Sequence, residues 1–221
     1  MTTLFSLYGN PRFTMLVTAT GEVVYHIKTE NSVSSVLRAL PKKLGFEDEE
    51  QQYTVTGKID WNRPITFQIG NNTPVPASQF LHIPISDNKI KQFLGIAEDN
   101  DKREFTSPTG NVYQWTFSGQ EAKVVLSLRD VDSLLTVFQL RLKGTREPIA
   151  IFTREHASLL VKDTRAALVL TNEGLEMLDL VVLTWIQVAL LLNTFRSKGM
   201  FASTETEWAL ATAGGDSAKD Y

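Results

Sequence analysis

The residues best suited to chemistry in this chain lie in one stretch. Arg141, Lys143, Arg146, Arg154, Lys162 and Arg165 stand there against Glu147, Glu155 and Asp163. The local balance is +3, in a chain whose total is -3. Guanidinium and ammonium groups on strand exteriors attract anions. Arg141 and Lys143 fall on one strand face, opposite Leu140 and Leu142. Strands running as a meander would bring several of these charges onto one outer wall. A basic residue near an anionic bilayer contributes about 1 kcal/mol. The six residues are therefore the candidate site for a lipid headgroup, and a protein partner is the other ligand class they fit. Ordinary solvated strand exteriors are the plainer account of the same charges.

Catalytic and metal-binding patterns are sparse. His26, His82 and His156 show no helical i, i+4 ligand spacing. Glu155 and His156 are adjacent, and neighbours on a strand point to opposite faces, so they do not converge as an acid–base pair. There is no G-x-S-x-G elbow and no P-loop. The chain contains no cysteine, which removes disulfides, thiol catalysis and cysteine-ligated zinc. The reading is a non-enzymatic module with no metal and no cofactor. A pI near 5.7 argues against a general nucleic-acid binder.

The elements that position these residues are mostly short strands. Thr14 to Ala19 and Glu22 to Lys28 flank Thr20-Gly21 as a hairpin. Tyr53 to Trp61 alternates, with Tyr53, Val55, Gly57, Ile59 and Trp61 assigned to one face. Thr73 to Pro84 carries three prolines and reads as edge or loop. Glu98 to Glu104 reads as a charged loop. Val112 to Phe117, Lys123 to Arg129, Leu134 to Leu142, Pro148 to Thr153, Ala157 to Val161 and Ala166 to Leu170 continue the strand series. Runs of this length with regular turn signals indicate an all-β barrel or sandwich. The first ten residues lack a signal-peptide pattern, and the sequon at Asn71 falls in a turn.

One helix breaks the pattern. Leu175 to Phe195 is apolar almost all round, so it must be buried in a core or in a bilayer. Glu176, Asp179, Thr184, Gln187 and Thr194 form a thin polar stripe on it. The uncharged part, Leu180 to Phe195, has 16 residues, short of the roughly 20 a span needs. Burial inside a strand-built shell fits better. Thr171 or Asn172 is the expected N-cap, and Glu173, Glu176 and Asp179 suit the positive end of the helix dipole.

Several segments resemble a fungal, mainly mushroom, family of domains of unknown function. They are Gly21-Glu22-Val23-Val24-Tyr25-His26-Ile27, Gly57-Lys58-Ile59-Asp60-Trp61, Tyr113-Gln114-Trp115, Glu147 to Phe152, and Gly174 to Thr184. The arrangement is also similar to the tubby C-terminal and LURP-one-related architecture. That resemblance implies a mainly β fold: a closed antiparallel β-barrel of about twelve strands around a central apolar C-terminal α-helix. No lipid-binding motif of the tubby domains can be placed here residue by residue.

The expected organisation is a single domain over residues 1–200, with the central helix at about 174–197 and a weakly structured tail over 201–221. The leading functional expectation is an intracellular, cytoplasmic or peripheral-membrane module that binds anionic phospholipid or a protein. One alternative is an enzyme or carrier for a small apolar ligand held in the barrel. The other is a protein anchored in a membrane through 175–195.

Overall fold

The computed structural model describes residues 1–41, 50–82, 102–118, 137–153, 156–158 and 161–197. Lys123 to Arg129, Arg154 and the tail 201–221 lie outside the described residues. The first half is a meander: β1 Thr2–Ser6, β2 Thr14–Val17, β3 Val23–Glu30, β4 Val33–Ala39, β5 Tyr53–Asp60, β6 Thr66–Ile69 and β7 Val75–Pro76. A short helix α1, Ala77–Phe80, follows. Then come β8 Lys102–Thr106, β9 Val112–Ser118, β10 Val137–Leu142, β11 Pro148–Thr153, β12 His156–Ser158, β13 Val161–Thr164 and β14 Ala167–Leu170. The described chain ends in α2 Asn172–Glu176 and α3 Leu178–Ser197.

Twelve strands form one antiparallel sheet in the order β7-β6-β5-β4-β3-β2-β1-β14-β11-β10-β9-β8, and β12 and β13 form a separate hairpin. Alternating apolar residues supply its inner face, with Leu4, Tyr25, Ile27, Val36, Ile59, Phe67, Phe105, Trp115, Leu140 and Leu168 buried. Bulges adjust that alternation. Val36 pairs with Gly57 but Leu37 pairs with Val55, so β5 carries an extra residue at Thr56. The slip turns Val55 outward, where it is exposed, and separates it from Gly57 and Ile59. The single face expected for Tyr53 to Trp61 is therefore broken in the middle.

α3 is the core of this fold. Ten consecutive residues, Leu180 to Ala189, are buried. At 3.6 residues per turn, burial of such a run leaves no side of the helix facing solvent. The contacts come from many strands. The Tyr25 hydroxyl of β3 donates to Asp179. Gly57 of β5 leaves room for Leu183, whose methyl would lie 3.1 Å from an added Cβ. Trp115 Nε1 of β9 donates to Thr184 Oγ1 at 3.0 Å. Phe152 of β11 meets Trp185 edge-on at 5.4 Å. Placed on a helical wheel at about 100° per residue, Asp179, Leu183, Thr184 and Trp185 point in successive directions. Their partners lie in β3 and β5 on one half of the sheet and in β9 and β11 on the other.

The pairing ladder itself is not closed, and β7 and β8 are its two edges. A short connection spans the gap. Ala77 N donates to Ile65 O at 2.8 Å, and His82 and Glu104 exchange backbone bonds of 2.9 and 2.8 Å. Stacked rings cross the same gap: Phe67 on Phe80 at 5.1 Å, Phe80 on Phe105 at 6.2 Å, and Phe105 on Tyr113 at 5.7 Å.

The helical segment expected as one piece is two. Thr171 is the cap, its Oγ1 accepting from Gly174 N at 3.3 Å, and α2 ends at Met177 before α3 begins. The charged loop expected over Glu98 to Glu104 includes part of β8, where Arg103 and Glu104 are buried. No helix among the described residues is long and apolar enough to cross a membrane.

Candidate functional site

The antiparallel sheet has two ends. One gathers the β2–β3 turn, the β8–β9 turn, the β10–β11 turn and α2. The other gathers the β1–β2 loop, the β3–β4 turn, the β5–β6 connection and the β12–β13 hairpin. This division separates five of the six basic residues, Arg154 lying outside the described residues. Arg141, Lys143 and Arg146 lie at the first end of β10 and in the turn after it. Lys162, in β13, and Arg165, just after it, lie at the second. The six residues of β11 separate the two groups by about 20 Å at roughly 3.4 Å per residue. One continuous wall of charge is not what the topology builds.

Two of the bases are already engaged. The Lys143 ammonium lies 3.0 Å from Glu104 Oε2. Glu104 is almost wholly buried on the outer side of β8, where Gln114 Nε2 donates to its Oε1 at 2.7 Å and His82 Nε2 lies 3.8 Å from Oε2. A buried carboxylate needs such partners, so Lys143 has a structural task. The Arg141 guanidinium donates to Gln139, and its Nε is buried without a partner. Arg146 and Arg165 are exposed and form no ion pair among the described residues. Lys162 belongs to β13.

Sequence reasoning missed two tyrosine–carboxylate pairs that fix the helical segment to the sheet. Asp179, in the first turn of α3, accepts from the buried Tyr25 hydroxyl and lies 3.5 Å from Arg38 Nη1. Burial first, and then the adjacent Asp179 carboxylate, push the Tyr25 hydroxyl pKa far above its ordinary value, so it stays protonated and donates. Tyr113 OH donates to Glu173 Oε1 at 3.1 Å, and burial with Glu173 again raises its pKa. Tyr25 and Asp179 both lie in the segments that carry the family resemblance, but 154 residues separate them. Only the packing of the helix on the sheet brings them together.

A cleft of about 810 Å³ opens at the first end of the sheet, lined by Met1, Leu142, Arg146, Ile149, Asn172 and Glu173 among others. His26 packs edge-on against Tyr53, and burial lowers its pKa. Among the described residues no three His, Asp or Glu side chains group as a metal site.

A family model matches residues 9–192, from the β1–β2 loop into α3. The chain belongs to the Family of unknown function (DUF6593). The match covers β2 through β14, α2 and most of α3, so every strand but β1 lies in the matched region. No curated protein and no solved structure matches the chain.

Proposed function

We propose that this DUF6593 chain is a non-enzymatic intracellular module that binds an anionic membrane surface, and that its sheet acts as a closed, tubby-like barrel. The resemblance to the tubby and LURP-one architecture supports the barrel. So do the His82–Glu104 bridge and the ring stack across the seam. With α3 filling the interior, recognition falls to the exterior.

The observation that carries the lipid reading is Arg165. It is exposed, has no ion-pair partner among the described residues, and follows a hairpin that contributes Lys162. Arg154 precedes that hairpin in the sequence. The test is flotation with phosphatidylcholine vesicles, with and without phosphatidylserine. Binding is expected only with the anionic lipid and should weaken as salt shortens the Debye length. Charge reversal of Lys162 and Arg165 should abolish it. Equal binding to neutral and anionic vesicles would rule the reading out.

The cleft favours a second reading, a carrier for a small ligand. Arg146 and Glu173 supply polar groups there, and Leu142 and Ile149 an apolar floor. A screen of small amphiphilic acids by thermal shift, repeated with Arg146→Ala, tests it. A carrier would show stabilisation that the substitution removes.

A further inference from the structure

Three large apolar side chains of the β1–β2 loop face solvent: Leu7 at 39%, Tyr8 at 57% and Phe13 at 50% exposure. No other loop among the described residues shows more than one. Exposed Leu40, Val55 and Val75 belong to separate elements.

The backbone of this loop is held firmly. Leu7 N donates to Met15 O at 3.0 Å, and Phe13 N to Asn10 O at 3.0 Å. Tyr8 N donates to Thr14 Oγ1 at 3.1 Å, and Ser6 Oγ donates to Tyr8 O at 2.8 Å. Arg12 N donates to Asn10 Oδ1, and Thr29 Oγ1 of β3 donates to Arg12 O. Pro11 is buried, and the Arg12 guanidinium lies 5.0 Å over the Trp61 ring. Such a loop presents its apolar groups outward in a fixed arrangement, at the cost of leaving them in water.

An exposed base lies beside the loop. Ser6 N donates to Ala166 O at 2.8 Å, which sets Arg165 beside the start of the loop. Arg12 lies within the loop and Arg63 in the connection after Trp61. Among the described residues, the acids at this end include Glu30, Asp60 and Asp163 of β13, and an Asp60 oxygen is taken by the backbone and side-chain nitrogens of Asn62. An exposed cluster of tyrosine and aliphatic or phenyl groups with the exposed Arg165 beside it matches the bilayer interface, where aromatic groups sit at headgroup level.

We infer that the β1–β2 loop is a membrane-docking tip: Leu7, Tyr8 and Phe13 enter the interface of an anionic bilayer while Arg165 meets its headgroups. This rests on the anionic-membrane reading and adds to it the face that docks and the apolar part of the contact.

The experiment uses the full chain, the Leu7→Ser/Phe13→Ser variant and a Tyr8→Trp variant. The vesicles are phosphatidylcholine with about one-third phosphatidylserine. The double substitution should lower vesicle affinity at least about tenfold at fixed salt. The indole introduced by Tyr8→Trp should shift to the blue and be quenched by brominated acyl chains. Binding by the unaltered chain that the double substitution leaves intact would overturn the tip and spare the lipid reading. An unshifted, unquenched indole on bound protein would do the same. No binding by the unaltered chain would remove both. Self-association without vesicles, lost in the double variant, would overturn the tip in favour of a contact between copies.

Discussion

At the scale of single residues, the hydroxyl of Tyr25 and the amide of Gln187 make opposite demands. Tyr25 is buried and donates to a carboxylate. Tyr25→Phe should cost about 2 kcal/mol at neutral pH, as a charge-assisted bond is lost. The pH dependence has a definite sign. The folded pKa lies above the ordinary value of 10.0, so above pH 10.0 the unfolded chain releases this proton while the folded chain keeps it. Stability is thus fully present below that pH and falls as pH rises past it, by up to about 1.4 kcal/mol per pH unit. Urea unfolding in alkaline buffers should show a shallower decline for Tyr25→Phe, and equal slopes would refute the assignment. Gln187 is 2% exposed, and neither Oε1 nor Nε2 has a hydrogen-bond partner among the described residues. Each orphaned group costs roughly 1–3 kcal/mol. Gln187→Met, close in volume, should therefore raise the urea midpoint. A lowered midpoint would mean that the amide has a partner in solution.

At the scale of elements, α3 carries the interior for all the strands around it. Val182 and Ile186 are fully buried. Val182→Asp would place an unpaired charge there, and insoluble or unfolded protein is the expected result. A soluble Val182→Asp variant with an unchanged thermal midpoint would contradict the central position of the helix. This element was legible in the sequence because its signal is local: an apolar run too short and too polar for a bilayer. The meander was legible for the same reason, from period-two alternation and turn residues. β8 was not. Lys102, Arg103 and Glu104 look like loop residues, and what buries Glu104 arrives from Gln114 and Lys143, 10 and 39 residues away. The bulge at Thr56 was equally hidden, because one extra residue reverses a face without changing composition. The basic excess of 141–165 was visible as a count. Its division between two ends depends on β11 crossing the sheet, which no local pattern records.

At the scale of the whole molecule, the seam between β7 and β8 is the least cross-linked line among the described strands. It relies on one isolated bridge and on the rings of Phe67, Phe80, Phe105 and Tyr113. Phe80 is the central ring and is only partly buried. Phe80→Ala should cost about 2–3 kcal/mol, toward the low side for a phenylalanine because of that partial exposure. The loss should be uneven. Amide exchange in β6, β7 and β8 should quicken well before that in β1, β11 and β14. Uniform acceleration across the sheet would show that the seam is not a separate opening unit.

The place of β1 carries a consequence for how the chain is made. β1 lies mid-sheet, paired on one side with β2 and on the other with β14, where Thr2 meets Leu170. During synthesis the second partner emerges last. Until then β1 waits as an open edge, and α3, which must fill the interior, has not yet been translated. Closing so long a loop is entropically slow, and an exposed edge strand is a template for wrong pairing. Ribosome-bound chains stalled before residue 170 should therefore be protease-sensitive and depend on chaperones, and release of α3 should convert them to the compact form in one late step.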